Sequence, residues 1–309
     1  VYKLSKIYLD QEYLHSLLSR LQHKLDFTEA ELSEQLCLEL AALSNFRYCE
    51  LFGSGTSALL SAFLVSKEFV DTKKTVQVPS FSFPGLYSGL YYAGYNIELV
   101  DVNPVTGLAN TTGELTVHQS IADSKPIIRN NFSIEDNAWC LQSKYDTKPT
   151  FSMMSMGNNK LFNCGAGGAL FFDDEKFIPL LKKLKFYGAT GRSSQGVTRD
   201  GPGLNLKFDD WRAALVLAQL KNYEQQIIEI NRSKEILKTY ASLDELPGCS
   251  AMYMIDDVDS LPDYVKRKSW EPIHAYTKTP GEFPGADRCY ANKVIVSSNF
   301  DVYKGIVNG

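Results

Sequence analysis

Three short stretches of this chain combine residue types that could do chemistry. In Ser155-Met-Gly-Asn-Asn-Lys160-Leu-Phe-Asn-Cys-Gly-Ala-Gly167-Gly168, one lysine stands just before a turn of small residues, and a strand-like run, Ala169-Leu-Phe-Phe172, follows it. Glycines at such a turn let backbones pack closely or let a ligand approach with no Cβ in the way. A lysine fixed there can serve as a nucleophilic amine and form a Schiff base once its charge is suppressed. In Tyr48-Cys-Glu-Leu-Phe52-Gly53-Ser-Gly55-Thr56-Ser57-Ala58, a short strand runs through a Gly/Ser/Thr turn into a helix. Open N–H groups and the helix dipole at such a turn favour a phosphate. The third stretch, Phe132-Ser-Ile-Glu135-Asp136, is strand material ending on two carboxylates. Ligands of open α/β sheets sit at the carboxyl ends of strands, which puts Asp136 where it can act on one. Each stretch also has a plainer reading: a surface lysine before a turn, a βα turn with a Ser/Thr cap, and a solvated acidic turn.

The elements around these stretches alternate. Tyr13-Leu-His-Ser-Leu-Leu-Ser-Arg-Leu has helical spacing, and Thr28 before Glu29 has the look of an N-cap for a second helix. Strands are expected at Tyr48–Phe52, at Thr75-Val-Gln-Val-Pro79 and at Ile97-Glu-Leu-Val-Asp101-Val, with helices from Ala58 and from Pro84 to Tyr92 between them. This alternation predicts βαβ units and a mostly parallel sheet. Residues 104–125 are polar and carry no clear element, whereas Pro126-Ile-Ile-Arg129 reads as strand. A short helix is expected from Glu175, and a glycine-rich loop, Gly188 to Gly203, has the composition of a lid or subunit-contact loop. A long helix is expected from Asp209 to about Tyr240. Beyond it, strands are read at Ser250-Ala-Met-Tyr-Met-Ile and Val294-Ile-Val, and a helix start at Leu261.

The bulk composition excludes some functions. With 309 residues, 44% hydrophobic and 22% charged, the chain can bury a sizeable core. A net charge of −4 argues against nucleic-acid binding. Six cysteines without Cys-x₂-Cys spacing read as free thiols, and four scattered histidines give no metal site. No apolar run approaches the ~20 residues of a bilayer span, and no secretory signal is visible, so no membrane association is expected. A cytoplasmic protein is the expectation.

Taken together, the chain resembles the DegT/DnrJ/StrS family of sugar aminotransferases, which use pyridoxal phosphate (PLP) on the fold-type I scaffold. The matching stretches, in order, are Gly53-Ser-Gly-Thr-Ser-Ala-Leu, Val78-Pro-Ser-Phe-Ser-Phe83, Tyr92-Ala-Gly-Tyr-Asn-Ile-Glu-Leu-Val-Asp-Val-Asn and Ile134-Glu-Asp136. They continue with Ser155-x₄-Lys160-x₆-Gly-Gly168, Gly203-Leu-Asn205-Leu-Lys207 running on to Leu220, and the weaker Phe283-Pro-Gly-Ala-Asp. The resemblance implies an α/β fold with a large domain over residues 1–215, its central sheet mostly parallel and flanked by helices. A small C-terminal α+β domain, residues 216–309, would be led by a long connecting helix.

The resemblance also implies roles. Lys160 is the expected Schiff-base partner of the cofactor and the later proton carrier. Asp136 would keep the pyridine nitrogen protonated, and Phe83 would stack on the ring. Gly55, Thr56 and Ser155 would hold the phosphate, and Trp139 would lie near the phenolic oxygen. Asn205, and with it Lys207, would reach the phosphate of a partner subunit, which implies a homodimer with shared active sites. The implied reaction is a ping-pong transfer of an amino group from an amino acid, usually L-glutamate, to a keto-sugar nucleotide. Such products commonly feed surface polysaccharide, lipopolysaccharide or antibiotic sugars.

The chain departs from the family at four points. Trp139 replaces the usual Gln or His, so a hydrogen bond can be donated there but not accepted. Lys207 replaces an arginine and loses its fork. The βα unit between Asp101 and Asp136 is abbreviated, and no sugar-receiving glycine stretch is recognisable before residue 45. Three other functions remain open on the sequence: a PLP-dependent sugar dehydratase, in which histidine would replace Lys160; a catalytically silent protein on this fold, with a regulatory or assembly role; and a Rossmann-like nucleotide binder, for which the third glycine of Gly-x-Gly-x-x-Gly is missing.

Overall fold

Phe132 and Ile134, the apolar Phe151, Met153 and Met154, and the all-apolar Ala169–Phe172 build the centre of a five-stranded sheet. A computed structural model describes residues 9–22, 28, 30–120, 128, 131–141, 145–158, 160–193, 196–238, 252–255, 281–292 and 294–297. The sheet order is β1-β7-β6-β5-β4, from Tyr48–Phe52 (β1), Leu115–Gln119 (β4), Phe132–Asp136 (β5), Phe151–Ser155 (β6) and Gly168–Phe172 (β7). β4, β5 and β6 are parallel, while β7 runs against both β6 and β1. Four of the five strands therefore point one way. Thr75–Pro79 (β2) and Asn96–Val100 (β3) form a parallel pair, and β2 packs beside β4. The fold is α/β, with the mostly parallel sheet expected.

Alternation along the strands sends apolar residues to both faces, so helices must cover both. On one face Cys49, Leu51, Met154, Ala169 and Phe171 pack with helices Gln11–Leu21 (α1), Glu31–Ser44 (α2) and Asp210–Leu220 (α6). On the other, Phe52, Ile134, Phe151, Met153, Leu170 and Phe172 pack with Gly55–Ser66 (α3), Pro84–Ala93 (α4) and Phe177–Lys185 (α5).

Several expectations need correction. Residues 104–125 are not without structure: β4 lies within them and is buried throughout. The glycine-rich stretch from Gly188 is a hairpin, Ala189–Ser193 (β8) against Gly196–Arg199 (β9). The long helix after Asp209 is two helices, α6 and Tyr223–Lys238 (α7), separated at residues 221 and 222. Met252–Ile255 (β10) pairs with Val294–Ser297 (β11), and Pro284–Asn292 (α8) precedes the latter. The strand read at Pro126-Ile-Ile-Arg129 and the helix start at Leu261 fall almost wholly outside the described residues.

The cap of α2 is also not the expected Thr28. Its N-cap residue, Ala30, has no side-chain cap. Instead the buried carboxylate of Asp210, in the first turn of α6, accepts from the N–H groups of Ala30, Leu32 and Ser33 and from the Ser33 hydroxyl, at 2.7–3.3 Å. A carboxylate at a helix N-terminus meets both the open donors and the dipole. Asp210→Ala is expected to destabilise the protein by about 2–4 kcal/mol, since it strands several buried donors at once. The midpoint of urea unfolding measures this, and an unchanged midpoint would show the cap to be idle.

Candidate active site

The carboxyl ends of β1, β5 and β6 open onto the first turn of α3. Ser54 caps that helix: its hydroxyl accepts from Ser57 N–H, and Ser57 in turn bonds back to Ser54 N–H. The first bond inside the helix is Ala58 N–H to Ser54 carbonyl. The N–H groups of Gly55 and Thr56 have no acceptor within the helix, and the dipole adds to their pull on an anion.

Glycines let this turn sit deep. A Cβ on Gly168 would lie 2.5 Å from the Ser54 carbonyl oxygen and 2.7 Å from the Gly55 nitrogen, so β7 meets the turn backbone to backbone. A Cβ on Gly55 would come 3.1 Å from Ser155 Cβ and 3.3 Å from its hydroxyl. Ser155, the last residue of β6, thus stands against the first residue of α3. On the far side, a Cβ on Gly85 would touch Thr56 Oγ1 at 2.8 Å and the Phe83 ring at 3.0 Å. Phe83 is the N-cap of α4, and its ring is 53% exposed, an apolar face open to a ligand beside the Thr56 hydroxyl.

The two carboxylates at the end of β5 point to opposite faces, as strand alternation requires. Glu135 turns away from α3 and is fully engaged, accepting from Ser120 at 2.6 Å and from Tyr145 and Ser152 at 2.8 Å. Asp136 shares the α3 face with Met153 and Ser155, and accepts from Ala138 N–H at 3.1 Å. It is buried, and burial pushes its carboxyl up to about 6, with the Lys160 ammonium opposing that rise.

Lys160 leaves the β6–β7 loop, whose neck is closed by Met156 N–H to Gly167 carbonyl and Cys164 N–H to Met156 carbonyl. Its stem passes the Gly157–Ser155 turn, and its Nζ lies 3.0 Å from the centroid of the Trp139 ring. Burial of the amine lowers its pKa to about 7, against the pull of Asp136 toward the charged form. An amine that is substantially neutral near pH 7 adds readily to a carbonyl; an ordinary lysine, almost wholly protonated there, adds far more slowly.

Seven of the expected residues therefore come together: Gly55, Thr56, Phe83, Asp136, Trp139, Ser155 and Lys160. Asn205 and Lys207 sit differently. Asn205 is exposed, and its backbone pairs with Phe186; the Lys207 amine lies 5.1 Å over the Tyr187 ring. The segment they belong to runs past the base of the turn, where Gly53 N–H bonds to Leu206 carbonyl at 3.0 Å. Sequence reading missed Arg212, which bonds to this turn from α6. The available signal was Asp209 three residues ahead of an arginine, a capping aspartate with a cation on the same helix face.

Comparison with known proteins bears on this arrangement. Residues 130–278 match the sequence model of the DegT/DnrJ/EryC1/StrS aminotransferase family. It is the family the motifs resemble. No curated protein matches the sequence. Helicobacter pylori PseC, an aminotransferase involved in the biosynthesis of pseudoaminic acid, superposes with a TM-score of 0.80 at 17% identity, covering 99% of this chain and 97% of its own. A DegT/DnrJ/EryC1/StrS aminotransferase from Brucella abortus gives 0.74 at 18%, covering 96% and 95%. An Escherichia coli GDP-4-keto-6-deoxy-D-mannose-3-dehydratase with bound hydrated PLP gives 0.76 at 17%, covering 97% of each. The scaffold is that of the PLP fold-type I enzymes. The stretch matched to the DegT/DnrJ/EryC1/StrS family includes Asp136, Trp139, Ser155, Lys160, Asn205 and Lys207.

Proposed function

We propose that the chain is a PLP-dependent aminotransferase that moves an amino group from an amino acid, with L-glutamate the expected donor, to a keto-sugar carried on a nucleotide. The observation that carries this reading is the Lys160 amine, desolvated over the Trp139 ring and within the electrostatic reach of the Asp136 carboxylate.

The residues present fit PLP. The glycine cradle at Gly55 and Gly85 leaves room that a Cβ would fill, and the open N–H groups of Gly55 and Thr56 suit a phosphate. The hydroxyls of Thr56 and Ser155 stand beside them. Asp136 is placed to hold a proton on a ring nitrogen, because a carboxylate and a pyridinium each favour the other's charged form. Phe83 offers an apolar face, and the Trp139 indole N–H is a donor for an oxygen. When bound, PLP supplies the electron sink and the temporary carrier of the amino group. Lys160 would do the protein's share: its amine is placed to hold the carbonyl end of the group and, when free, to take up and return a proton.

Asn205 and Lys207 would complete the phosphate site of a second copy, making a homodimer the working unit. Residues 1–215 would form the large cofactor-binding domain, and 216–309 the small C-terminal domain led by a connecting helix. The products would be amino sugars for surface polysaccharide, lipopolysaccharide or natural products, in a cytoplasmic setting. Similarity to a dehydratase leaves that chemistry as the rival on the same scaffold, and Lys160 in place of histidine favours amino transfer.

Purified protein mixed with PLP should develop a visible absorption band that L-glutamate bleaches, and a keto-sugar nucleotide should restore it with release of an amino sugar. A protein that binds PLP yet leaves glutamate untouched would sink the aminotransferase reading.

A further inference from the structure

We infer that Arg212 is a positioning residue that locks the phosphate-binding turn and the Lys160 loop at a fixed separation, so that one rigid cofactor engages both at once. This rests on the reading above. One guanidinium nitrogen, Nη1, donates to the Gly53 carbonyl at 3.2 Å and to the Ala166 carbonyl at 3.0 Å. Gly53 precedes the N-terminus of α3, and Ala166 belongs to the loop that carries Lys160. Nε donates to the carboxylate of Asp209 at 2.6 Å, and Asp209 is the N-cap of α6, accepting Arg212 N–H at 2.9 Å. The guanidinium carbon lies 4.8 Å from the centroid of the Phe208 ring. That ring in turn seats on the Lys160 loop, where a Cβ on Gly167 would meet it at 2.8 Å.

Three segments far apart in sequence thus converge on a planar fork of fixed geometry. Lysine cannot reproduce this, since its ammonium is a single point on a flexible stem. Arg212 touches none of the groups assigned to the cofactor. Its effect is on the distance between the two anchors. A ligand with a phosphate at one end and a carbonyl at the other gains from both sites only when their spacing is held, as in any two-point attachment. Ligands using one anchor gain nothing from it.

The test is a comparison of three probes on the full chain: PLP, pyridoxal, which lacks the phosphate, and inorganic phosphate. Binding is read by visible absorption for the first two and by calorimetry for the third, on wild type, Arg212→Gln and Arg212→Lys, with melting temperatures alongside. The expected result for Arg212→Gln is a loss of PLP affinity of about 10-fold or more, within the usual span of coupling between sites. Pyridoxal and phosphate should each change by less than about 3-fold, and Arg212→Lys should fall between. An unchanged PLP affinity overturns the proposal. So does a parallel loss for all three probes that follows the melting temperature, which is the mark of a merely structural arginine. Should Arg212→Gln fail to fold, Arg212→Lys decides by the same ratio. Wild type that shows no absorption with either aldehyde overturns the cofactor reading itself, and this proposal with it.

Discussion

Lys160→Ala is expected to lower the rate of the glutamate half-reaction by about 10²–10⁴-fold, the usual contribution of a positioned proton-transfer group. The variant should keep its fold, because the lysine is half-buried and its removal opens space beside Trp139 without stranding a backbone partner. The pH dependence gives the sharper signature. Only the neutral amine attacks a carbonyl, and burial lowers the pKa of this one to about 7. The rate at which wild type takes up PLP should therefore climb through pH 6 and level off just above 7. A solvated lysine would keep climbing to about 10. Stopped-flow absorption reads both limbs. A profile still rising at pH 9 would remove the basis for a desolvated amine, and uptake by Lys160→Ala equal to wild type would remove the lysine altogether.

Asp136→Asn is expected to slow the same half-reaction by about 10²–10³-fold, the range seen when one preorganised electrostatic contact is lost. The substitution keeps size and shape and removes the charge that would hold a proton on a ring nitrogen. Two further shifts have definite signs. The Asp136 carboxylate favours the Lys160 ammonium, so without it the amine titrates lower still, and the uptake profile should level off below pH 7. Burial raises the Asp136 carboxyl from 3.8 to about 6. The folded chain therefore holds this proton more tightly than the unfolded chain does between those values. Stability owed to it is complete below about pH 4 and is lost as pH rises through about 6. The cofactor-free Asp136→Asn protein should then match wild type near pH 4 and melt above it at pH 7. Thermal melts at the two pH values measure the crossover; a variant that melts lower at pH 7 would mean that Asp136 stabilises the fold. A carboxylate kept at a cost to the fold is what a functional site requires.

Local signals made much of this legible. A strand, a Gly/Ser/Thr turn and an apolar helix identify β1 and α3 because the turn's chemistry lies within a few residues. The same holds for Lys160 ahead of its glycines, and for Asp136 at a strand end. β4 was hidden because hydropathy equates burial with apolar residues. Thr116, His118 and Gln119 are buried with polar partners: Thr116 donates to Asn131, Thr111 meets the His118 ring at 3.5 Å, and Gln119 donates to the Phe81 carbonyl. The break between α6 and α7 carries no glycine or proline. Asn222 N–H simply turns to Gln219 carbonyl, a tightening no residue type announces. The meeting of Lys160 with Trp139, 21 positions earlier, depends on how the β6–β7 loop folds back, and spacing alone does not encode it.

The cap that Asp210 gives α2 spans 177 residues between Ser33 and its carboxylate. On the ribosome, at about 5–20 residues per second, α2 must wait roughly 10–35 s after its own synthesis for that partner to be made. β1 waits as well, since its pairing in the sheet is with β7, from Tyr48 against Phe172 onward. Throughout that interval α2 shows its apolar face, Leu32, Leu36 and Leu40, to water or to a chaperone. The nascent chain is thus most vulnerable to aggregation through α2 and β1, and closure of the sheet by late-made segments ends that exposure.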